Sequence, residues 1–280
     1  MTAIPFAKLS GSGNDFVIVD NRENLIPESQ HERFVRAVCP RAVSVGADGV
    51  ILIENDPKNE CDFAWRFYNS DGSEAEMCGN GGRCVARFAY EKGIVGKKMT
   101  FRTLAGVIGA EITGDRSVKL QMTPPGRYEP DIHLDHKGQA LTLGFLEMGV
   151  PHAVLFVDDV ETVDVQKLGA FIRYHEHFAP KGANANFAQV TGPDSLLIRT
   201  YERGVEGETL ACGTGSVATA VILALADKVR PPVTLTTRSN EKLTVSFDMT
   251  GQVPELIYFE GVVTWVYDGL LKEETFSVTD

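Results

Sequence analysis

The 280-residue chain is written twice, and that repetition constrains its fold more than any local pattern does. Gly13-Asn14-Asp15 leads into FVIVD (Phe16 to Asp20), and Pro151-His152-Ala153 leads into VLFVD (Val154 to Asp158). GADGVILI starts at Gly46 and GANANFAQ at Gly182; Arg66-Phe67-Tyr68 is echoed by Arg199-Thr200-Tyr201. Cys-Gly-Asn-Gly at Cys78 is matched by Cys-Gly-Thr-Gly at Cys212, each preceded four residues earlier by a glutamate, Glu74 and Glu208. Short apolar strings recur by chance, but four matches in one order at offsets of 133 to 138 residues describe a duplicated fold.

Short β-rich runs bounded by Gly, Asp and Asn predict strands at Val17–Val19, Gly49–Ile53, Phe63–Tyr68 and Val107–Ile112. The second half offers Val154–Val157, Phe187–Val190, Leu196–Tyr201, Val233–Thr236 and Leu243–Phe247. A helix follows each CGxG, over Arg83–Lys92 and over the Ala-rich, almost wholly apolar Ser216–Asp227, with a weaker one at His31–Val38. The expected fold is α+β: two similar domains related by pseudo-twofold symmetry. Each would be a strand-rich, barrel-like sheet around an apolar helix, with the site in the cleft between them. The Pro-rich stretch from Pro124 to Pro130 reads as the linker, so the domains are expected at 1–123 and 124–266. The tail 267–280 has no counterpart at the end of the first half and is expected to rejoin the first domain.

A formal charge of −11 argues against nucleic-acid and anionic-membrane surfaces as partners, because both would repel the chain. No apolar run is long enough to span a bilayer, and the N-terminus lacks the pattern of a secretory signal. Cys39, Cys61, Cys78, Cys84 and Cys212 make an odd set without metal-type pairing, which predicts a cytoplasmic protein with reduced thiols and no metal. Cys39, Cys61 and Cys84 read as apolar filler.

The glycines at 79, 81 and 82 read as residues for tight or positive-φ backbone, with Cys78 at the N-terminus of the helix behind them. There the helix dipole and bare N–H groups favour negative charge, lowering a thiol below its free value of about 8.5 and offering a seat for a carboxylate. Alone, a CGxG is more often a small residue in a Gly-rich turn; two copies in a duplicated chain change the balance. Two such thiols on opposite sides of one carbon suit racemisation α to a carboxylate: one thiolate removes the α-proton and the other thiol protonates the opposite face. Helix N-termini stabilise the enediolate-like intermediate, and no cofactor is needed as an electron sink.

GSGNDFVIVD, YNSDGSEAEMCGNGGRC, PHAVLFVDD, YERGVEGETLACGTGS and VYDG, in this order along nearly the whole chain, resemble the motifs of the diaminopimelate epimerases. The resemblance implies interconversion of LL- and meso-2,6-diaminoheptanedioate without cofactor, in lysine and peptidoglycan precursor synthesis, by a homodimer with Tyr267 at its interface. It assigns Cys78 as proton donor and Cys212 as acceptor, and His152 and Glu202 as residues that tune the thiols. It puts Asn14, Asn69, Gly79, Asn80, Asn184, Glu202, Arg203, Gly213 and Thr214 on the substrate. Arg203 suits a carboxylate as a bidentate fork, and Glu202 suits an ammonium. Without the resemblance, Glu202-Arg203 reads equally as an exposed ion pair, His152 as a strand-end histidine, and Asn14 and Asn69 as turn residues. Val150 and Gly49 depart from the family pattern, which has Asn and, in some members, Gln there. Two alternatives follow: a racemase of the same fold acting on another amino acid, and a dithiol redox protein. A ligand-binding protein without chemistry is a third.

Overall fold

The computed structural model describes residues 3–249 and 253–276. In chain order the elements are β1 (Ile4–Gly11), β2 (Asn14–Asp20), α1 (His31–Val38), β3 (Gly49–Glu54), β4 (Phe63–Asn69), α2 (Gly79–Glu91), β5 (Lys98–Thr103), β6 (Gly106–Ile112) and β7 (Ser117–Gln121). There follow β8 (Tyr128–His136), β9 (Gln139–Met148), β10 (Val150–Phe156), α3 (Val165–Arg173), β11 (Asn184–Gly192), β12 (Ser195–Glu202), β13 (Gly207–Thr209) and α4 (Gly213–Leu225). The chain closes with β14 (Val233–Thr236), β15 (Lys242–Phe247), β16 (Ile257–Leu271) and α5 (Glu273–Phe276). It divides into two compact units, Met1–Leu120 with Gly261–Asp280, and Gln121–Glu260. Of the tail 267–280, residues 277–280 lie outside the described residues.

In the first unit β1 runs antiparallel to β2, β2 parallel to β3, β3 antiparallel to β4, β4 parallel to β5, and β5, β6 and β7 antiparallel in turn. The late part of β16 pairs antiparallel with β1, from Ile4↔Leu271 to Gly11↔Val263, and also neighbours β7, so the strand order returns on itself. The second unit repeats the sequence of pairings: β8–β9 and β9–β10 antiparallel, β10–β11 parallel, β11–β12 antiparallel, β12–β14 parallel, then β14–β15 and β15–β16 antiparallel. Parallel neighbours need a crossover, and a helix supplies each one: α1 and α2 in the first unit, α3 and α4 in the second. β16 thus stands to β1 as β8 stands to β9. The counterpart of the tail lies at the start of the second half, in β8. Pro124, Pro125 and Gly126 lie between β7 and β8, whereas β8 begins at Tyr128 and takes in Pro130, which a bulged strand at the end of the strand order tolerates.

The strands β2, β3, β10 and the first half of β11 bury both faces. In β2, Val17 and Val19 share a core with Val50, Leu52 and the α1 residues Phe34, Val35 and Val38, whereas Phe16 and Ile51 face Gly81 of α2. In the second unit Leu143, Phe145, Ala153, Leu155 and Phe187 pack with Val165 and Ile172 of α3, while Gly144 lies against Ile222 of α4. This two-sided burial is why the strands read as continuous apolar runs. Helix α4 is buried along most of its length, with Val217, Val221, Ile222 and Leu223 all in the core. Burial contributes roughly 1.5–3 kcal/mol for each such large side chain.

Candidate active site

Cys78 is the N-cap of α2 and Cys212 the N-cap of α4, both in extended backbone, and each helix runs 13 residues. Both helices start earlier than the sequence suggests because their glycines lie inside them. Those glycines are not there for positive φ; they permit close approach. A Cβ on Gly82 would lie 2.9 Å from Leu120, and one on Gly215 would lie 2.5 Å from Asn186 Oδ1 and 3.3 Å from Cys212 Sγ. The first helical turn therefore sits flush against the sheet with its cysteine at the mouth of the dipole.

In the first unit the thiol stands beside a directed chain of amides. The Gly81 N–H donates to Cys78 Sγ at 3.4 Å. Asn14 Nδ2 donates to Asp48 at 3.1 Å, and its Oδ1 accepts from Asn80 Nδ2 at 2.8 Å. Asn80 Oδ1 then accepts from Arg83 at 2.9 Å, and Arg83 also donates to Ser12. A carboxylate at one end and a guanidinium at the other leave each amide a single orientation. Asp48 is held by Arg41, which also grips Asp15. Burial opposes ionisation of Asp15, but its hydrogen bonds from Arg41 and Lys8 outweigh that and hold its carboxyl at about 2. Asn69 ends β4 in an exposed turn, donating to Ser73 at 3.1 Å.

In the second unit, strand register gathers the polar residues on the face of the sheet that meets the start of α4. His152 is paired with Asn184 across the parallel β10–β11 ladder, and Asn186 faces Thr200 on β12. His152 Nε2 lies 2.9 Å from Thr214 Oγ1, which lies 3.8 Å from Cys212 Sγ. The Asn184 carboxamide accepts from the Arg203 N–H at 2.8 Å and donates to the Pro151 carbonyl at 3.2 Å, so it anchors the Arg203 turn. Burial raises the Glu202 carboxyl above its ordinary value, with the Thr209 hydroxyl opposing.

His152 is fully buried, and that burial, helped by the charge of Arg203, pushes the imidazole down to about 3. A depressed histidine stabilises the fold above its unfolded value near 6.5 and loses that contribution as pH falls towards 3, because the unfolded chain takes up a proton the folded chain refuses. Urea midpoints at pH 7 and pH 5 should therefore show the parent losing about 2 kcal/mol more than His152→Gln. Equal losses would contradict a neutral buried ring.

The repeat hides one more pair. Arg66 grips Glu74 and Arg199 grips Glu208, the latter through two bonds of 2.7 Å, pinning the segment before each CGxG to its strand. The sequence shows both glutamates and both arginines but not their pairing. At Gly49 a Cβ would meet the Tyr68 carbonyl at 2.5 Å and Phe67 at 2.8 Å, so no larger residue fits there. Val150 opens β10. Tyr267 is half exposed, edge-on to Phe6. Cys39 and Cys84 are buried, and burial raises the Cys39 thiol to about 11. Cys61 is not core filler: it is partly exposed, 3.8 Å from Arg102.

A sequence model of the diaminopimelate epimerases matches residues 6–128 and 144–266. The chain belongs to the diaminopimelate epimerase family. Diaminopimelate epimerase of Aquifex aeolicus is 50% identical over 97% of this chain and 99% of its own, and that of a Hydrogenobaculum species 46% identical over 96% and 99%. A phenazine biosynthesis protein of the PhzF family from Bacillus anthracis shares the fold, with a TM-score of 0.76 at 15% identity over 97% of this chain and all of its own. So does a hydroxyproline epimerase from Agrobacterium vitis, solved with bound trans-4-hydroxy-L-proline, at 0.69 and 15% over 99% and 95%. No described helix is long and apolar enough to cross a membrane.

Proposed function

We propose that this chain interconverts LL- and meso-diaminopimelate by proton transfer between two thiols. The observation that carries the reading is the pair of cysteine N-caps, Cys78 and Cys212, on two equivalent 13-residue helices. In one direction the Cys212 thiolate takes the α-proton and becomes a thiol, while the Cys78 thiol gives its proton to the opposite face and becomes a thiolate; the reverse reaction exchanges the roles. The electron pair left by the α-proton passes into the carboxylate as an enediolate, which the helix N-termini stabilise. Gly79, Asn80, Gly213 and Thr214 supply the first-turn groups facing that carboxylate. At the unreacting end Arg203 takes the second carboxylate and Glu202 the ammonium, with Asn14, Asn69 and Asn184 completing the contacts. The reading extends to a cytoplasmic homodimer that uses the exposed Tyr267 at its interface, with no nucleic-acid partner.

Incubation in D₂O with a panel of amino acids tests the reaction. Deuterium should enter the α-position of diaminopimelate and not that of proline, histidine or lysine. Exchange into one of those with none into diaminopimelate would overturn the substrate. A dithiol-dependent reductase activity without any exchange would favour the redox alternative.

A further inference from the structure

Asn186 is buried completely on β11, yet the mechanism above gives it no task. Its partners orient its carboxamide. Nδ2 donates to the Ala153 carbonyl at 3.1 Å, and Oδ1 accepts from the Thr200 hydroxyl at 2.9 Å. A carbonyl only accepts, so the nitrogen must lie on that side. The same nitrogen stands 3.4 Å from His152 Nδ1, which makes Nδ1 the acceptor. A neutral imidazole then carries its one hydrogen on Nε2, directed at Thr214 Oγ1 2.9 Å away. A hydroxyl that accepts from the ring turns its own hydrogen elsewhere, and Cys212 Sγ lies 3.8 Å from it. Gly215 holds the arrangement closed, since any Cβ there would strike Asn186 Oδ1.

We propose that Asn186 is a positioning residue: it locks His152 in the Nε2–H tautomer, so that Thr214 donates its hydroxyl hydrogen to the Cys212 sulfur and stabilises the thiolate. The proposal deepens the epimerase reading and rests on it only for the consequence in turnover. Neutrality of the ring follows from its burial, and the nearby charge of Arg203 acts in the same direction. In the opposite tautomer Nε2 would accept from Thr214 and draw the hydroxyl hydrogen away from sulfur. His152 therefore acts on the thiol through a hydroxyl, as a donor, and not as a base.

Nitrogen-15 spectra of the histidine rings, with His152 assigned by loss of its signals in His152→Gln, read the tautomer directly. The parent should show a protonated Nε2 and a bare Nδ1 from pH 5 to 9. Asn186→Asp presents an acceptor to Nδ1 and should flip the ring. The pH midpoint for alkylation of Cys212, followed on its own peptide, should then rise by about one unit, the scale expected on losing a hydrogen bond to a charged group. Thr214→Val should shift the midpoint the same way, Thr214→Ser should restore it, and Asn186→Asp combined with Thr214→Val should add nothing further. An Nδ1–H parent ring, or a Cys212 midpoint unmoved by Asn186→Asp, overturns the proposal. Should Asn186→Asp fail to fold, the parent tautomer and the Val/Ser pair at Thr214 decide it. These readouts need no substrate: a working relay without α-proton exchange would sink the epimerase reading alone, and exchange without the relay would sink this one.

Discussion

Alanine at either Cys78 or Cys212 should lower kcat for epimerisation by at least about a thousandfold, because each direction needs one sulfur as base and the other as acid. Asn14, Asn80 and Thr214 cannot replace either group. In the first unit the nearby side chains Asn14 and Asn80 are amides, and in the second Thr214 is a hydroxyl that cannot serve as a base at neutral pH. Serine should recover a small part of the rate, being able to pass a proton but a far weaker base than a thiolate. The double alanine variant should be little worse than either single one, since the two sulfurs form one proton circuit. Melting temperatures should stay close to the parent's: the Gly81 N–H bond to Cys78 is long, at 3.4 Å, and so is the Thr214 contact with Cys212, at 3.8 Å. A single-alanine variant that kept a tenth of the parent's rate would remove that cysteine from the chemistry.

The second large effect is expected at Arg203. Its main chain is set by the Asn184 carboxamide, its Nη1 lies 3.4 Å from the Lys181 carbonyl, and its guanidinium is the group proposed to take the distal carboxylate. Arg203→Ala should reduce kcat/KM for diaminopimelate about a hundredfold, roughly 3 kcal/mol for a charge-assisted contact, and the loss should fall mainly on KM. Lysine at the same position should recover part of it as a point charge without the fork. An analogue lacking the distal carboxylate should exchange slowly with the parent and no more slowly with Arg203→Ala. A loss of equal size for both substrates would place Arg203 at the reacting carbon instead, or acting through its field on His152.

Both cysteines were legible from sequence because a four-letter turn recurs at one offset and helical physics gives that turn a meaning. The starts of α2 and α4 were not. Glycine is a poor helix former, so a reader stops at Gly82 and Gly215, whereas the fold needs the missing Cβ atoms to seat the helix against Leu120 and Asn186. Asn186 itself escaped because NANFAQV reads as a strand beginning at Phe187, its asparagines taken for a boundary. An asparagine inside an otherwise apolar strand was the available signal. Strand β8 was hidden by Pro130, and β16 by its changing environment: buried at Ile257, Phe259 and Val263, open to solvent at Val266, Tyr267 and Leu270. Helix α3 lacks a long apolar stripe and owes its place to Val165 and Ile172.

In a two-thiol mechanism each sulfur serves one configuration, and single-cysteine proteins read that most directly. Cys78→Ala and Cys212→Ala should each be incubated in D₂O with diaminopimelate of L and of D configuration at the reacting carbon, and the α-deuterium followed by proton NMR. Each variant should wash out the α-proton of one configuration only, without inversion, and the two variants should choose opposite configurations. Exchange of the same configuration by both variants, or inversion by either, would contradict the two-thiol mechanism.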